Sequence, residues 1–543
     1  MQLSEKVALQ TPSSGPTRKQ TLLPTGGLNQ RQANISITRG RRAPERKESE
    51  QDAPKKTGDQ RANPKPGFKH LKMAQSLERV SLTHKQKARE KLPEDARFSD
   101  YPLLPEILEG LMKDVFAHLE AVQPSPVQKL AIPALLNARR PLVNGQPHRF
   151  LLAAETGSGK TLAYCLPIVD ALKRDEIEAQ ERDEELKRQR KESGSSIWEI
   201  DPSEIDPPDT RPRPKALILL PTSELVSQVG SVIKKLTHKA KFRARQLSSD
   251  MSRRMIRSGL KDGCDIMIAT PQLFASIAMR DPAILSECKY IVADEADSLF
   301  DRSFVNVTNS IIVRATLLHQ LVLCSATIPT SLDKRLRRDF PEITRLVTPN
   351  IHAIPRRVTM SIVDIDDEPY KGNKMLACAD ILYSIAKDPG EPNFVKKVIV
   401  FVNQRESTAP LAEYIRSKGI DAVELDRDSA SRQKGSLDFF VGPKTPLEAK
   451  KDQGNTEGYT PRKIDTISVL VTTDIASRGI DTITVKNVIL YDVPYSTVDF
   501  IHRMGRTGRM GKRGRAVVLV DKHTNKAWVR EVKSCMHVGA GLI

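Results

Sequence analysis

A single glycine-containing loop constrains the fold of this chain more than any other feature of its sequence. The apolar run 150–153 (FLLA) leads into the loop 154–161 (AETGSGKT), and an apolar helical pattern follows. Glycines in such a loop let backbone N–H groups turn toward a phosphate, and the N-terminus of the next helix favours negative charge. The segment predicts an α/β domain with a phosphate-binding loop in which alanine replaces the first glycine. The predicted loop residues are Ala154, Glu155, Thr156, Gly157, Ser158, Gly159, Lys160 and Thr161.

Short apolar runs like 150–153 recur along two blocks of the chain and alternate with helical patterns. Runs that are apolar on both faces suit parallel sheets covered by helices on both sides. We therefore predict two α/β domains, at residues 96–350 and 357–543, joined by a short polar hinge at 348–355. The predicted strands are 150–153, 216–220, 265–269, 290–293 and 320–324 in the first domain, and 397–402, 469–472, 488–491 and 516–520 in the second.

Three segments lack this alternation. Residues 1–95 hold 20 lysines and arginines against 10 acidic residues, with one aromatic side chain, so they are predicted to form a disordered basic tail. The first 44 residues contain one acidic residue, Glu5, which suits a mitochondrial presequence and an ordinary basic tail equally well. The charged segment 173–214 and the Lys- and Gly-rich segment 442–465 are predicted to be surface insertions.

Net charge and cysteine content limit the partners and the kinds of site that the chain is expected to have. The formal net charge of +19 suits an acidic partner such as nucleic acid. The six cysteines form no CxxC pair, which argues against a zinc site or a disulfide framework and favours a reducing compartment. No run approaches the roughly 18 apolar residues that a membrane helix needs, so we expect no membrane insertion.

A pair of carboxylates follows the predicted strand 290–293. Beside a phosphate loop, Asp294 can hold magnesium and Glu295 can orient or deprotonate a water molecule. Lys160 would then reach the β- and γ-phosphates, and Thr161 would join Asp294 as a metal ligand. These residues predict hydrolysis of a nucleoside triphosphate.

The motifs occur in an order that resembles the DEAD-box family of ATP-dependent RNA helicases. The resemblance rests on Asp294-Glu295-Ala296-Asp297, Ser325-Ala326-Thr327, the segment 474–481 (DIASRGID) and the segment 502–509 (HRMGRTGR), and it extends over about residues 98–530. It implies two RecA-like domains, ATP and Mg²⁺ as cofactors, and RNA as a partner. His502 and the upstream glutamine favour this family over the related DEAH enzymes.

The resemblance also assigns roles to residues outside the phosphate loop. Gln128 would contact the adenine edge and favour ATP over GTP, with Phe98 or Tyr101 as the accompanying aromatic residue. Asp481 would contact the ribose. Arg506 and Arg509 would complete catalysis from the second domain. The residues implied to couple the ATP site to domain closure are Ser325, Thr327 and His502.

The sequence departs from the family pattern mainly where the family holds RNA. Ser223 replaces an arginine of the family pattern, Gln272 and Leu273 replace a glycine and an arginine, and Ser429 replaces a glutamine. Ser248-Ser249 lies near the expected double glycine, and Glu424-Leu425 replaces the histidine-glycine turn. Lost charged contacts weaken attraction to phosphate, so we expect a softened grip on RNA, compensated by the basic tail and the insertions. The remaining candidate RNA contacts are Pro221, Thr222, Thr270, Arg432 and Thr472.

These departures and the segment 67–72 (GFKHLK) resemble a fungal mitochondrial branch of the family. That branch is linked to assembly of the mitochondrial large ribosomal subunit and to maintenance of the mitochondrial genome. The resemblance implies a monomer in the mitochondrial matrix that acts on mitochondrial ribosomal RNA or pre-ribosomal particles. The leading hypothesis is RNA-stimulated ATP hydrolysis coupled to domain closure and local duplex remodelling. The alternatives are an ATP-gated RNA clamp or assembly factor with little unwinding and, more weakly, a DNA helicase.

Overall fold

The computed structural model describes residues 77, 92–93, 95–117, 122–192, 213–249, 251–261, 263–354, 357–390, 393–425, 464–474, 485–508, 512–538 and 542. Most of the predicted tail, residues 193–212 of the insertion 173–214 and residues 442–463 of the insertion 442–465 lie outside these residues. Three predicted site residues also lie outside them: Arg432, Asp481 and Arg509.

The first domain is built on a sheet of seven parallel strands in the order β3-β4-β2-β5-β6-β1-β7. All five predicted strands are present. The edge strands β3 and β7 carry arginine and glutamine or threonine, so neither shows the apolar run by which the others were predicted. The strands are β1 (His148–Ala153), β2 (Ala216–Leu219), β3 (Ala244–Leu247), β4 (Ile266–Ala269), β5 (Tyr290–Asp294), β6 (Gln320–Ser325) and β7 (Thr344–Val347).

The second domain contains a sheet of six parallel strands in the order β10-β11-β9-β12-β13-β8. The predicted class, two parallel-sheet α/β domains, is confirmed. The strands are β8 (Val358–Asp364), β9 (Lys396–Phe401), β10 (Ile420–Leu425), β11 (Ile464–Thr472), β12 (Asn487–Leu490) and β13 (Gly514–Val520). Strands β8 and β10 were not predicted. Their buried residues are interspersed with more exposed ones, so neither strand contains a continuous apolar run.

Helices cover both faces of each sheet. In the first domain they are α1 (Pro105–Gly110), α2 (Pro126–Asn137), α3 (Lys160–Glu192), α4 (Ser223–Ala240), α5 (Arg253–Lys261), α6 (Pro271–Arg280), α7 (Ala296–Leu299), α8 (Val305–Arg314) and α9 (Thr330–Asp339). In the second they are α10 (Lys374–Lys387), α11 (Thr408–Ser417), α12 (Thr497–Met504) and α13 (Lys526–Val538). No helix among the described residues combines the length and apolar character needed to cross a membrane.

Helix α3 explains the first half of the predicted insertion 173–214. The helix begins at Lys160 in the phosphate loop, is buried from Leu162 to Leu172, and continues with charged side chains that are exposed from residue 179. Ion pairs of Arg139 and Lys289 with Asp175 anchor the start of the charged part. The charged segment 179–189 is therefore a solvent-exposed continuation of the phosphate-loop helix.

Each strand of the first sheet contributes alternate residues to two separate apolar layers. In β1, Phe150 and Leu152 pack with α2, α3 and α4, whereas Leu151 and Ala153 pack on the opposite face. Successive side chains of a strand point to opposite faces, so a strand that is apolar throughout fills both layers. Both faces are thus closed to solvent, and the polar motifs lie at the carboxyl ends of the strands.

The segment between the domains differs from the predicted polar hinge. Ile351, His352 and Ile354 are buried, and His352 lies in the left-handed backbone region with φ of 62°. The Thr348 N–H donates to the Ala153 carbonyl at 2.9 Å, and the Ile328 N–H donates to Nε2 of His352 at 2.9 Å. The connection is therefore packed against the end of β1 and the segment that follows β6.

The prediction of a wholly disordered tail is wrong at one point. Leu77 is only 3% exposed and packs in the core of the second domain with Ile354 and Leu542. It also forms an isolated antiparallel β-bridge with Pro329 of the first domain. Composition averaged over 95 residues did not reveal a single apolar residue that contacts both domains.

Candidate active site

The phosphate loop follows β1 and turns directly into α3. Gly157 and Gly159 have φ of 74° and 91°, a backbone conformation that glycine adopts without steric cost. The Lys160 ammonium donates to the carbonyls of Ala154 and Glu155 at 2.7 and 3.0 Å. Within the loop, the buried hydroxyl oxygen of Ser158 has no hydrogen-bond partner. Lys160 and Ser158 therefore supply a cation and an unsatisfied hydroxyl where the sequence predicted phosphate binding.

The loop also touches the segment between the domains. A hydrogen bond from Asn350 favours the charged form of Glu155, as does the nearby Lys160. Burial outweighs both effects and raises the pKa of Glu155 above its usual value. The loop residue Glu155 thus contacts the connection that leads to the second domain, a contact that the sequence pattern did not reveal.

Gln128 is fully buried at the start of α2 and has two structural contacts. Its Oε1 accepts from the Ser125 N–H at 2.8 Å, while Ser125 Oγ accepts from the Gln128 N–H, so the two residues form a capping box. Its Nε2 donates to the Gly159 carbonyl at 3.3 Å. The predicted adenine contact of Gln128 therefore stands beside a second role, which is to attach α2 to the phosphate loop.

Neither aromatic candidate upstream of Gln128 has a ring that is fully exposed to solvent. The Phe98 ring is buried in the core, 5.6 Å from the Phe116 ring. Tyr101 is partly buried beside Phe98, and burial raises its pKa to about 12. Near the start of α2, the Pro93 carbonyl accepts from the Lys129 ammonium at 2.7 Å.

Asp294 ends β5 and is buried beside the phosphate-loop helix. Its Oδ2 accepts from the Tyr164 hydroxyl at 2.9 Å, and its Oδ1 accepts from the Glu295 N–H at 2.9 Å. Burial and the neighbouring Glu295 charge raise the pKa of Asp294 to about 6, although Lys160 and the two hydrogen bonds act in the opposite direction. Tyr164 was not predicted as a site residue. A lone hydroxyl within the apolar run 162–166 was the available signal.

Glu295 occupies a strained backbone position. Its φ is 54°, in the left-handed region that non-glycine residues rarely adopt, and the short helix α7 begins immediately after it. Because of this turn, the adjacent side chains of Asp294 and Glu295 point in different directions: Asp294 contacts Tyr164, and Glu295 lies near His502. Ligand atoms of Glu295, Asp297 and His502 all lie within 4.8 Å of one another, so the predicted catalytic carboxylate faces the second domain.

The three residues predicted to couple the ATP site to domain closure form a continuous set of contacts. Ser325 Oγ donates to the Thr327 carbonyl at 2.8 Å, and Thr327 Oγ1 donates to Asp297 Oδ2 at 2.6 Å. The same oxygen lies 3.3 Å from Nε2 of His502, near enough for an ion pair when the imidazole is protonated. The orientation of Nε2 does not meet hydrogen-bond geometry. The motif after β6 therefore reaches helix α12 of the second domain through Asp297.

Helix α12 ends directly against the phosphate loop. A Cβ added to Gly505 would lie 2.4 Å from Thr156 Oγ1, which is closer than any real side chain tolerates. Glycine is thus required for the observed approach of the two domains. Arg506 follows and is 7% exposed, so this predicted arginine is buried at the contact between the domains.

Arg503 has a role that the sequence did not predict. Its guanidinium is 1% exposed and donates twice to the Asp474 carboxylate, at 2.6 Å each. It also donates to the Asp492 carbonyl and to Asn403 Oδ1, at 2.7 Å each. Arg503 therefore ties α12 to the ends of three strands. Motif spacing cannot distinguish such a structural arginine from the neighbouring Arg506.

The candidate RNA contacts of the first domain lie at the carboxyl ends of the adjacent strands β2 and β4. The Leu220 N–H donates to the Ala269 carbonyl, so the segments that begin at Pro221 and Thr270 emerge side by side. Thr222 Oγ1 caps α4 by accepting from the Leu225 N–H at 3.4 Å. Thr270 precedes α6 and is 6% exposed.

Thr472 does not present its side chain to solvent. It is fully buried, and its hydroxyl is within hydrogen-bond distance of the Leu425 and Thr473 carbonyls, at 3.2 and 3.3 Å. This contradicts a side-chain RNA contact at Thr472 in the observed conformation. The Thr472 hydroxyl instead joins the ends of β10 and β11.

Thr161 and Asp294 supply the oxygen donors that Mg²⁺ prefers. Thr161 lies in the first turn of α3, and each carboxylate oxygen of Asp294 keeps a lone pair beyond its single hydrogen bond. The donor chemistry of these two residues therefore fits magnesium.

Two protein families match the two domains. The DEAD/DEAH box helicase family matches residues 125–334, and the helicase conserved C-terminal domain matches residues 374–511. The protein of Neurospora crassa called ATP-dependent RNA helicase mrh4, mitochondrial, is 41% identical over 584 residues, covering 100% of this chain and 92% of the relative. The protein of that name from Aspergillus oryzae is 42% identical over 602 residues, with coverage of 100% and 93%.

Solved structures have the same fold at lower sequence identity. S. cerevisiae Dbp5 bound to RNA and ADP BeF3 has a TM-score of 0.55 and 22% identity, covering 82% of this chain and 94% of that one. Mss116p bound to ssRNA and AMP-PNP has a TM-score of 0.58 and 20% identity, with coverage of 86% and 80%. These likenesses establish the two-domain architecture.

Proposed function

The chain belongs to the DEAD-box family of ATP-dependent RNA helicases, and from that premise we propose which of its residues bind ATP, catalyse hydrolysis and contact RNA. ATP binds between the two domains, and RNA-stimulated hydrolysis is coupled to their closure and to local remodelling of an RNA duplex. The observation that carries this proposal is the contact set Thr327–Asp297–His502, which joins the first domain to helix α12 of the second.

In the proposed site the phosphate loop binds ATP through its backbone N–H groups and Ser158. Lys160 exchanges its two carbonyl partners for oxygens of the β- and γ-phosphates. Gln128 meets the adenine edge with the hydrogen-bonding capacity that the capping box and Gly159 leave unused. Asp481 contacts the ribose from the second domain.

Thr161 and Asp294 are the proposed magnesium-binding residues. The ion, when bound, neutralises negative charge that develops on the phosphates. Glu295 orients or deprotonates the attacking water, and its backbone turn directs it toward the face shared with His502. Arg506 and Arg509 approach from the second domain and stabilise the charge of the transition state. Because both arginines belong to the other domain, hydrolysis becomes conditional on closure.

RNA is proposed to bind along the carboxyl ends of both sheets. The contacts of the first domain are Pro221, Thr222 and Thr270, and Arg432 is the proposed cation of the second. Thr472 would take part only through its backbone, because its hydroxyl is bonded internally. We infer that the basic tail adds sequence-independent attraction.

A chain that begins at residue 73 tests the contribution of the tail, because it keeps Leu77 and loses most of the tail's positive charge. We expect its RNA affinity to fall less steeply with rising salt than that of the full chain, with the ATP site intact. Equal salt slopes would refute a role for the tail in RNA binding.

The relatives' names and the composition of residues 1–44 support a place in the mitochondrial matrix. There, mitochondrial ribosomal RNA or pre-ribosomal particles are the proposed partners, and the protein is proposed to act as a monomer. Sedimentation of mitochondrial extracts tests this. We expect the protein to travel with large-subunit precursors, and its exclusive recovery in ribosome-free fractions would contradict the assignment.

A second candidate function is an ATP-gated RNA clamp with little unwinding. The observation that favours it is the absence of charge at Ser223 and Leu273, which replace arginines of the family pattern and occupy the first turns of α4 and α6. A clamp requires only that the two domains close on RNA. Strand separation also requires RNA contacts strong enough to bend one strand away from its partner.

One set of measurements tests both functions. ATPase activity, with and without RNA, and unwinding of a short duplex are compared for the natural chain, Glu295→Gln and Arg506→Ala. We expect hydrolysis to fall by roughly 10²–10⁴-fold in Glu295→Gln, the usual contribution of a positioned acid or base. The controls are Glu287→Gln and Arg302→Ala, which change exposed charges of the first domain.

Full activity in both site variants would refute the site assignment. Strong RNA-stimulated hydrolysis without unwinding in the natural chain would favour the clamp. Unwinding that depends on Glu295 and Arg506 would favour the helicase.

A further inference from the structure

A buried tyrosine links the phosphate-loop helix to the carboxylate at the end of β5. Tyr164 is completely shielded from solvent, and its hydroxyl donates to Asp294 Oδ2 at 2.9 Å. The two residues are 130 positions apart in the sequence and belong to different elements. The hydroxyl therefore bonds to a residue of the proposed ATP site and makes no contact with solvent.

The position of Tyr164 on α3 directs it toward the site. Tyr164 follows Lys160 by four residues, and residues with this spacing share one face of a helix. Lys160 also acts on the Asp294 charge, so α3 brings both an ammonium group and a hydroxyl group to this carboxylate. A rotation or shift of α3 would move the ammonium, the hydroxyl and the carboxylate together.

Besides Lys160 and Glu295, two buried thiols lie near the Asp294 carboxylate. Cys165 and Cys324 are both buried near the carboxylate, and Cys324 is its neighbour across the pair β5–β6. A charged carboxylate in such a place is unfavourable unless hydrogen bonds compensate for the lost water. Among the described contacts, Tyr164 and the Glu295 N–H supply that compensation, one to each oxygen.

We propose that Tyr164 is a positioning residue that holds the Asp294 carboxylate in a fixed orientation for magnesium. The inference rests on the proposed magnesium role of Asp294 and assigns the supporting donor. Two hydrogen bonds to different oxygens fix the plane of the carboxylate, which leaves one lone pair on each oxygen for the cation or for water bound to it. A phenylalanine at this position would fill the same space without supplying the bond.

The test is the magnesium dependence of nucleotide binding by the full chain. A fluorescent, non-hydrolysable ATP analogue is titrated at a series of Mg²⁺ concentrations and in EDTA. We expect Tyr164→Phe to raise the half-saturating Mg²⁺ concentration about tenfold, in keeping with the loss of a hydrogen bond to a charged group. Its affinity for the analogue in EDTA should remain that of the natural chain.

Tyr290→Phe is the matched control. Tyr290 is a buried tyrosine at the opposite end of β5, and its hydroxyl donates to the Arg139 carbonyl at 3.3 Å. Both variants delete one buried hydroxyl from the same domain, so thermal unfolding should fall to a similar extent. Only Tyr164→Phe should change the magnesium dependence.

A second comparison shows whether Tyr164 acts through Asp294. In an Asp294→Asn background, adding Tyr164→Phe should change the magnesium dependence no further. An unchanged half-saturating Mg²⁺ concentration in Tyr164→Phe, or an equal loss of affinity in EDTA and in Mg²⁺, would overturn the inference alone. If the natural chain failed to bind the analogue at all, the proposed function would fall as well.

Discussion

The carboxyl edge of the first sheet divides into two halves that differ in how their side chains are used. At the ends of β1, β5 and β6, the motif side chains are held by contacts within the site: Lys160 by two loop carbonyls, Asp294 by Tyr164, and Thr327 by Asp297. At the ends of β2, β3 and β4, Thr222 caps its own helix, and uncharged residues fill the places where the family carries charge. The first of these, the nucleotide half, is a connected set of side-chain contacts. The second, the RNA half, consists of residues that begin helices.

The difference follows from what each half has to recognise. Hydrolysis requires groups held in one geometry, and displacement of about 1 Å can cost roughly 10²-fold in rate. Attraction to an RNA backbone is summed over many phosphates and depends little on where each cation lies. The nucleotide half therefore tolerates few substitutions, whereas the RNA half can lose individual contacts if charge elsewhere replaces them.

The largest expected effect concerns Arg503 of α12 in the second domain, the helix that ends against the phosphate loop. Arg503→Met should lower the free energy of unfolding of the second domain by about 3–5 kcal/mol, because it leaves the partly buried Asp474 without its ion-pair partner. Chemical denaturation measures the change. Lys387→Met, which removes an exposed cation from α10, should have little effect. Equal stability of the two variants would show that the Arg503 contacts do not support α12.

Gly505 tests whether the two domains must come as close as the structure shows. In Gly505→Ala the added Cβ would collide with Thr156, so RNA-stimulated hydrolysis should fall by about 10²-fold, while ATP-analogue binding without RNA should be retained. Steady-state kinetics and analogue titration separate the two effects. Gly259→Ala is the control, because its added Cβ meets only Leu247 at an ordinary 3.7 Å. Full activity of Gly505→Ala would contradict the closed arrangement as the hydrolytic one.

The smallest expected effect is that of Ser223→Arg, which tests whether the RNA half contacts RNA. Ser223→Arg places a cation in the first turn of α4, so RNA affinity should rise severalfold and the salt dependence should steepen by about 0.7, the value for one added phosphate contact. RNA binding measured from low to high salt checks this. Ser286→Arg is the control, because this exposed serine precedes β5 at the opposite edge of the sheet. Equal salt slopes for the two variants would show that residue 223 does not face RNA.

The phosphate loop was predictable in detail because its conformation is local. Two glycines, a preceding apolar strand and a following helix are neighbours in the sequence, and together they set the turn. The central strands were predictable because burial on both faces requires continuous apolar runs. Edge strands such as β3 and β7 were missed because they are buried less fully and need no such run.

By itself, the sequence determined the two α/β domains, the phosphate loop and the order of the catalytic motifs. These features depend on residue types at short spacing. Only the tertiary structure decided which distant residues meet: Tyr164 with Asp294, Thr327 with Asp297 and His502, and Arg503 with Asp474. It also decided that the connection between the domains and Leu77 are buried. The reason is that burial and hydrogen bonding depend on the packing of elements far apart in the chain, and motif spacing does not encode those distances.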